Sequence, residues 1–499
     1  MTLPRSLALV LAGSGVLIGS SVLFLPEAYA EIRATDGKRG LSTQVNGRKG
    51  GRCKAGICRI SGGTNSGRNK FHRFGRFDTR GKIRGVRFET AGKRNVVVGV
   101  TSPYGTYINK VVKLSSKANL YWLSPGGIHL GRGAGFVNVP GLNLSTAKSL
   151  RFPGGVFHAL HSSPADLRRL QNDPLPGSSG FQAGSKGNQA ADQSSMPGIQ
   201  LEGIDISIDQ DLLIDALAGH VAVKDSRLSV SADQGKAGTL TLMGGDIHVD
   251  GQSKLLATGS DGGGLIQVGG SWQNSDLSVR QAKTTRVDAG AVIDASATVD
   301  GDGGEIVVWS DISAPDSITD VAGTFLAKGG RKVGDGGRIE TSGATLLLSP
   351  NLKVEASAAR GEAGLWLQDP FNYSINSAPA GTIANSLDSG TNVTISTAVE
   401  NTSLGSSSNS GDPGNITLAS PISKTTGSPV TLTFEADNDV VLNAAISSTG
   451  NALNVVAKGA GQIILDQDKS IETNGGDIVL WANTGNKQSG SGQHFIRLN

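Results

Sequence analysis

The sequence predicts an all-β protein, a parallel β-helix (solenoid) with extra-helical hairpins and loops, and three observations predict it. Glycine is the first: 71 of 499 residues, about twice the usual share, with aromatics at only 5%. Many short strands joined by tight turns consume glycine in this way, whereas a large irregular core would need more aromatic volume. The second is period-2 stretches of strand length, as in Val96 to Val100 and Leu120 to Leu123, each closed by a Gly or Pro turn. The third is repetition. Ile416-Thr417-Leu418, Val440-Val441-Leu442 and Ile463-Ile464-Leu465 begin units 24 and 23 residues apart. A second strand recurs as Val430/Leu453/Ile478 and Leu432/Val455/Leu480, at offsets of 23 and 25. Two strand positions returning together about every 23 residues fit one coil of a stack whose equivalent residues lie about 4.8 Å apart.

From the N-terminus, residues 1–30 read as a secretory signal: Arg5, an apolar run from Leu7 to Leu25 broken by Gly and Ser, and the small-x-small cleavage pattern at Ala28 and Ala30. This implies passage through the Sec machinery and a mature chain starting near Glu31. The competing reading is an uncleaved membrane anchor, which the glycines and the cleavage pattern disfavour. No later segment has the run of about 18 apolar residues that a spanning helix needs.

Cys53 and Cys58 are the only cysteines, and in an exported chain they read as a disulfide closing a small loop. Loop-closure entropy for so short a ring gives roughly 2 kcal/mol, enough to pin a local hairpin. A metal pair would need further ligands, and a redox pair is more often spaced Cys-x-x-Cys.

Charge is partitioned. Residues 31 to 120 hold 21 Lys and Arg against four acids, a net of +17; the chain as a whole is +4, so residues 121 to 499 carry −13. A basic block of this size points to an anionic partner. Nucleic acid is not expected, because an exported chain rarely meets it and Phe71, Phe74, Phe77 and Phe88 fall at core-like positions rather than as stacking platforms.

Residues 31–171 form the first β-rich region, with one helix expected where Ser163 caps, Pro164 takes the first position and Ala165 to Leu170 follow. Residues 172–198, rich in Pro, Gly, Ser and Gln, read as a linker or long loop. Residues 199–350 carry irregular repeats in which a strand leads to Asp261-Gly262-Gly263, Asp302-Gly303-Gly304 and Asp335-Gly336-Gly337; residues 351–499 carry the regular ones. Two or three inward aliphatics per strand at about 2 kcal/mol each bury on the order of 10 kcal/mol per coil before entropy, so folding can propagate coil by coil. At about 23 residues per coil, residues 199 to 499 predict about thirteen coils.

Four stretches in order, Ile60 to Thr64, Asn69 to Asp78, Val96 to Thr101 and Asn119 to Ile128, resemble the secretion domain of filamentous-haemagglutinin-like exoproteins of two-partner secretion systems. The resemblance covers residues 41 to 160, and Gly364 to Asn372 looks like a segment recurring in the same exoproteins. It implies a right-handed β-helix, recognition in the periplasm by the POTRA domains of an outer-membrane β-barrel transporter, and a secreted or cell-surface protein that commonly serves in adhesion, with a host or neighbouring-cell glycan or protein as its further partner. The recognition candidates it marks are Asn69, Phe71, His72, Phe74, Asn119, Ser124, Pro125, Gly126, Gly127 and Ile128. For Asn69, Phe71, His72 and Phe74 the alternative is core packing. The family usually has Asn-Pro-Asn-Gly where this chain has Ser124-Pro125-Gly126-Gly127; Pro then Gly still satisfies a type II turn, and a plain β-turn is the alternative role.

No catalytic residue, cofactor or metal is expected. Asp261, Asp302 and Asp335 are spaced too widely for a nonapeptide calcium roll, and His158 and His161 lack a third ligand. A β-helical glycan-cleaving enzyme is the main competitor, with Asp205/Asp209 and Asp466/Asp468 as its carboxylate pairs. An autotransporter passenger would need a C-terminal barrel, which this sequence does not carry; a truncated part of a longer adhesin or contact-dependent toxin is a further alternative.

Overall fold

The computed structural model describes residues 30–183, 196–397, 414–484 and 496–498. The signal-cleavage position Ala28 lies outside them, and Ala30 is buried.

The chain is a parallel β-helix with three walls. Each coil contributes one strand to each wall, and the next coil adds its strand in parallel register. Thr106–Ile108, Ile128–Leu130, Ile199–Glu202 and His220–Lys224 follow one another in the first wall. Lys82–Phe88, Val111–Leu114 and Gly135–Val137 do so in the second. The third wall runs unbroken from Asn69–Asp78 through Asn95–Val100, Asn119–Leu123, Gly141–Ser145 and Asp211–Asp215 to Leu453–Gly459 and Ile478–Ala482. Inward residues of all three walls merge into one core running the length of the helix, because a single coil cannot hide its own aliphatics and the next coil supplies the missing wall.

The first coil is capped. Ile32–Ala34 lies antiparallel to Asn69–Asp78, and Thr43–Val45 pairs antiparallel with Ala55–Gly62, so the ladder does not begin on a bare edge. Between Gly141–Ser145 and Ile199–Glu202 the chain leaves the helix to form a small antiparallel sheet of Ser149–Phe152, Gly155–His158 and Phe181–Gln182. Ladder pairing continues across this excursion, Ile128 with Ile199 and Leu142 with Leu212.

The 23-residue period is regular in the C-terminal coils. Val430 pairs with Leu453, but the following partner of Val455 is Ile478, and Ala457 faces Leu480. The offset is thus 23 in both steps, and the expected match of Leu453 with Ile478 is two residues out; both registers place aliphatics inward, so the pattern alone could not separate them. Asp211–Asp215 to Ile478–Ala482 contains ten third-wall strands rather than thirteen coils. Longer coils account for the difference, with Ile266 stacking on Ile306 and Ile306 on Ile339, 40 and 33 residues apart.

Two helical expectations change. The segment after Ser163 is a single 3-10 turn, Asp166–Arg169, and Ser163 does not cap it; its N–H and hydroxyl both donate to the Asp166 carboxylate, at 2.7 and 2.9 Å. A twelve-residue α-helix, Ser377–Asp388, was not expected. It begins at Asn376, whose side chain accepts from the Ala378 N–H, and it buries Ala380, Ile383 and Leu387 on one face. The helix packs between Lys353–Glu355 and Ile422–Lys424, where the second wall would otherwise have a strand.

The Asp-Gly-Gly corners stack on one another where the second wall turns into the third. A Cβ on Gly303 would come 2.2 Å from the Ala327 carbonyl oxygen, and one on Gly336 1.9 Å from that of Ala356. Neither glycine has positive φ, so close approach of neighbouring coils, rather than turn geometry, requires them. Asp302 Oδ1 accepts the Asp335 N–H and Asp335 Oδ1 accepts that of Glu362, both at 2.8 Å. Each carboxylate holds the next coil.

Candidate secretion-recognition region

The strand Asn69–Asp78 is buried at eight of its ten positions, because it is covered on both faces. Phe74 points into the helix and joins an edge-on aromatic cluster: Phe74 to Phe77 at 5.1 Å and Phe77 to Trp122 at 4.5 Å between ring centres. His72 points the same way, 5.5 Å from Phe88, and neither ring nitrogen has a hydrogen-bond partner. Burial, reinforced by nearby Lys70, pushes its pKa down to about 3, so the ring is neutral.

Phe71 faces outward, where the extra-helical sheet covers it, 5.8 Å from Phe152 and 5.3 Å from Phe157. With Val97, Leu123, Leu150 and Phe181 it forms a second core outside the helix. Arg73 fastens this layer. Its guanidinium is fully buried and donates to the carbonyls of Ala159, Arg39, Ser162 and His158 at 2.6 to 2.8 Å. Burial, and then Arg39, pull its pKa down to about 10, leaving it charged.

Asn69 and Asn119 belong to a ladder completed by Asn95. Asn95 Nδ2 donates to Asn69 Oδ1 at 2.8 Å, and Asn119 Nδ2 to Asn95 Oδ1 at 3.2 Å. Asn69 also donates to the carbonyls of Leu170 and Asn172, both at 2.7 Å, and Asn95 to Asp173 Oδ1 at 2.8 Å. Burial raises the Asp173 pKa, but the Asn95 bond with Arg94 and Arg68 outweighs it and holds the carboxyl below its usual range.

Ser124 to Gly127 closes with the Gly127 N–H donating to the Ser124 carbonyl at 2.9 Å. It is not the expected type II turn. That type needs positive φ at the second central residue, and here Gly127 has φ 101 while Gly126 has no positive φ. Gly126 serves the stack instead: a Cβ there would lie 2.5 Å from the Gly105 nitrogen in the corner of the preceding coil. Ser124 is buried in a chain of bonds in which Trp122 Nε1 donates to Thr106 Oγ1 and Thr106 to Ser124 Oγ, both at 3.0 Å. Ile128 pairs with Thr106 and Ile199 inside the first wall.

The ten candidates therefore occupy three environments, the helix interior, the outer layer and a coil corner, and do not share one surface. Asn119, Pro125 and Gly126 are half-buried and the other seven are buried. Sequence reasoning missed Asn95, Arg73, Thr106 and Asp173. Asn95 stands 26 residues after Asn69 and 24 before Asn119, one coil each way, and that spacing was the available signal.

The accessible feature here is cationic. On the second wall Arg59, Arg87 and Lys113 stand side by side in register, with exposed Ile57 and Val111 among them. None of these three cations has an acidic partner among the described residues. Cys53 and Cys58, joined in a disulfide, brace the strand that carries Arg59.

The other singled-out groups are accounted for locally. His158, at the end of its strand, and His161, in the turn that follows, stack at 4.5 Å. Among the described residues no three His, Cys, Asp or Glu side chains are placed to hold a metal ion. Asp205 pairs with Arg227 at 3.0 Å, a cation not apparent from sequence, and Asp209 with Lys117 at 3.3 Å. Asp466 and Asp468 lie in the turn after Ile463–Leu465 rather than on a strand edge.

No protein-family profile and no curated protein sequence matches the chain. Among solved structures, the crystal structure of the filamentous hemagglutinin secretion domain is similar over 91% of this chain and 99% of that chain, at 12% identity and a TM-score of 0.21. The parallel β-helix assignment rests on the strand ladders described above.

Proposed function

We propose that this chain is an exoprotein exported by a two-partner secretion system, with its β-helix serving as an adhesive stalk at the cell surface. The four stretches that resemble the secretion domain, in their order along residues 41 to 160, carry this reading; seven of the ten residues they mark are buried in the folded chain. A transporter can reach His72, Phe74 and Ser124 only before the first coils close, so POTRA domains in the periplasm take the chain unfolded. The cationic face of the second wall, accessible at every stage, steers the first encounter with an acidic partner. Outside the cell, each coil that closes buries its aliphatics and opposes back-sliding.

The test compares two states of the full chain, native and freshly diluted from urea, binding to the periplasmic domains of a POTRA transporter encoded beside it. Binding is expected from the diluted chain alone. Equal binding by the native chain would overturn recognition before folding, and the lack of any such transporter in the source cell would overturn the route. Carrying Asp at Ile416, Val440 and Ile463 is expected to slow export, because the coils that hold the chain outside no longer close; unchanged export would remove folding as the driving force.

A further inference from the structure

The outer face of the third wall carries a trough that neither the fold nor the export route uses. Two cavities, of about 410 and 730 Å³, share Thr239 and Leu265 and so join end to end. They follow one row of stacked positions from Asn119 through Asp211, Thr239, Leu265 and Glu305 to Leu365. Seven coil steps at about 4.8 Å make this roughly 34 Å long and parallel to the helix axis. Such a shape takes a linear chain rather than a compact metabolite.

The walls of the trough are built. Residues 174–181 and 276–279, about a hundred positions apart in sequence, meet where the Ser178 N–H donates to the Ser278 carbonyl at 2.7 Å and its hydroxyl to the Leu277 carbonyl at 3.1 Å. Arg280 ties the two segments by donating to the Phe181 carbonyl while pairing with buried Asp215 at 3.3 Å. On the floor Tyr121, Asn143, Leu213, Thr241 and Gln267 stand in register. Thr241 donates to Gln267 Oε1 at 3.0 Å, which fixes the amide with its NH2 group unspent. The Tyr121 hydroxyl, the side-chain amides of Asn143 and Gln210 and the Asp211 carboxylate also have no hydrogen-bond partner among the described residues, although all line the trough.

Uncommitted amides, a carboxylate and a hydroxyl beside the flat faces of Tyr121, Pro174 and Pro176 match the alternating hydroxyl edges and C–H faces of a sugar chain. The charge narrows the class. Asp211, Asp276, Asp302 and Asp335 line the trough, Glu305 is held by Arg338 at 2.6 Å, and Lys236 is the other lining cation. A sulfated or uronic-acid polymer would be repelled. We propose that this trough binds a neutral linear oligosaccharide along the helix axis, which deepens the adhesive part of the function proposed above and rests on it.

The experiment uses the purified full chain and isothermal titration with maltohexaose, cellohexaose and N-acetylchitohexaose, and with a heparin-derived hexasaccharide as the anionic arm. At least one neutral hexasaccharide is expected to bind, about tenfold more weakly to the Gln210→Ala/Asp211→Ala double variant. Both residues are exposed, so the variant is expected to keep the parent's urea midpoint. Asn143→Trp, which fills the floor, is expected to abolish binding, whereas Lys254→Ala, exposed on the second wall, leaves it unchanged. Absence of binding by all three neutral sugars at millimolar concentration, affinity unchanged in both trough variants, or tighter binding of the heparin fragment each overturns the proposal. Export does not enter this measurement, so its outcome is separable from that of the secretion test.

Discussion

The strand Asn95–Val100 is buried at all six positions, whereas Leu453–Gly459 alternates buried and half-buried residues along its length. Both belong to the same wall of the same helix. The first is sandwiched between the interior and an extra-helical layer held by Phe71, Val97 and Arg73; the second has solvent on its outer side. The early coils are thus tied to segments distant in sequence, and the late coils only to their neighbours. Damage should spread differently in the two regions.

The largest expected effect tests that spread. Phe71→Ala and Phe434→Ala should each cost about 4 kcal/mol, since both rings are fully buried. Hydrogen exchange should rise across residues 146–183 for Phe71→Ala, but only in the coils flanking Val430–Ala436 for Phe434→Ala. Similar spread in both would erase the distinction. Next, Arg73→Ala strips four carbonyls of their donor, those of Ala159 and Ser162 buried and those of Arg39 and His158 partly so, and should cost about 3 kcal/mol in urea unfolding, while Lys458→Ala, which removes a pair with Glu435 at 3.6 Å on the late coils, should stay within about 0.5.

A smaller effect is pH-dependent. His72 has a folded pKa near 3 against about 6.5 when unfolded, so as pH falls below 6.5 only the unfolded chain gains the proton. Stability is therefore lost from pH 6.5 downward to about 3, by about 2 kcal/mol at pH 5 relative to neutral pH. His72→Phe should lack this increment when the unfolding midpoints at pH 7.5 and 5 are compared. Residues 414–484 contain no histidine and supply no counterpart. Smallest, Asn95→Ala breaks the ladder to Asn69 and Asp173 and should cost about 1.5 kcal/mol, against about 0.5 for Asn454→Ala, whose amide meets Thr431 at 3.4 Å and whose Oδ1 accepts the solvent-exposed Asp477 N–H at 2.9 Å, a bond that water can replace.

The same contrast decided what could be read from the sequence. The late repeats were legible because nothing interrupts them and one face meets water, so that period 2 within strands and period 23 between them both survive. The early coils showed alternation, but no local pattern says that an outward Phe71 or Val97 will find cover, because its partners Phe157 and Phe181 lie about 60 to 110 residues away. Helix Ser377–Asp388 was hidden by Pro379 and Gly381, which argue for a loop, although Asn376 as a cap and the face of Ala380, Ile383 and Leu387 were there to be found. That the residues marked by the resemblance fall in three environments depended on which side of each strand faces inward, which the sequence leaves open. The trough was not legible at all, since its walls come from two loops that meet only in the fold.

That helix has a mechanical consequence. A tube walled by hydrogen-bonded ladders resists bending only where the ladders run on, and beside Ser377–Asp388 two of the three stop and restart. The first wall breaks between Thr345–Leu348 and Tyr373–Ile375, and the second between Lys353–Glu355 and Ile422–Lys424. Tension or shear along the rod is carried there by one sheet and the apolar contacts of a helix, which yield more readily than a ladder. The molecule is in effect two stiff beams with a compliant joint, and a pull on the far end should extend that joint before it opens any coil on either side.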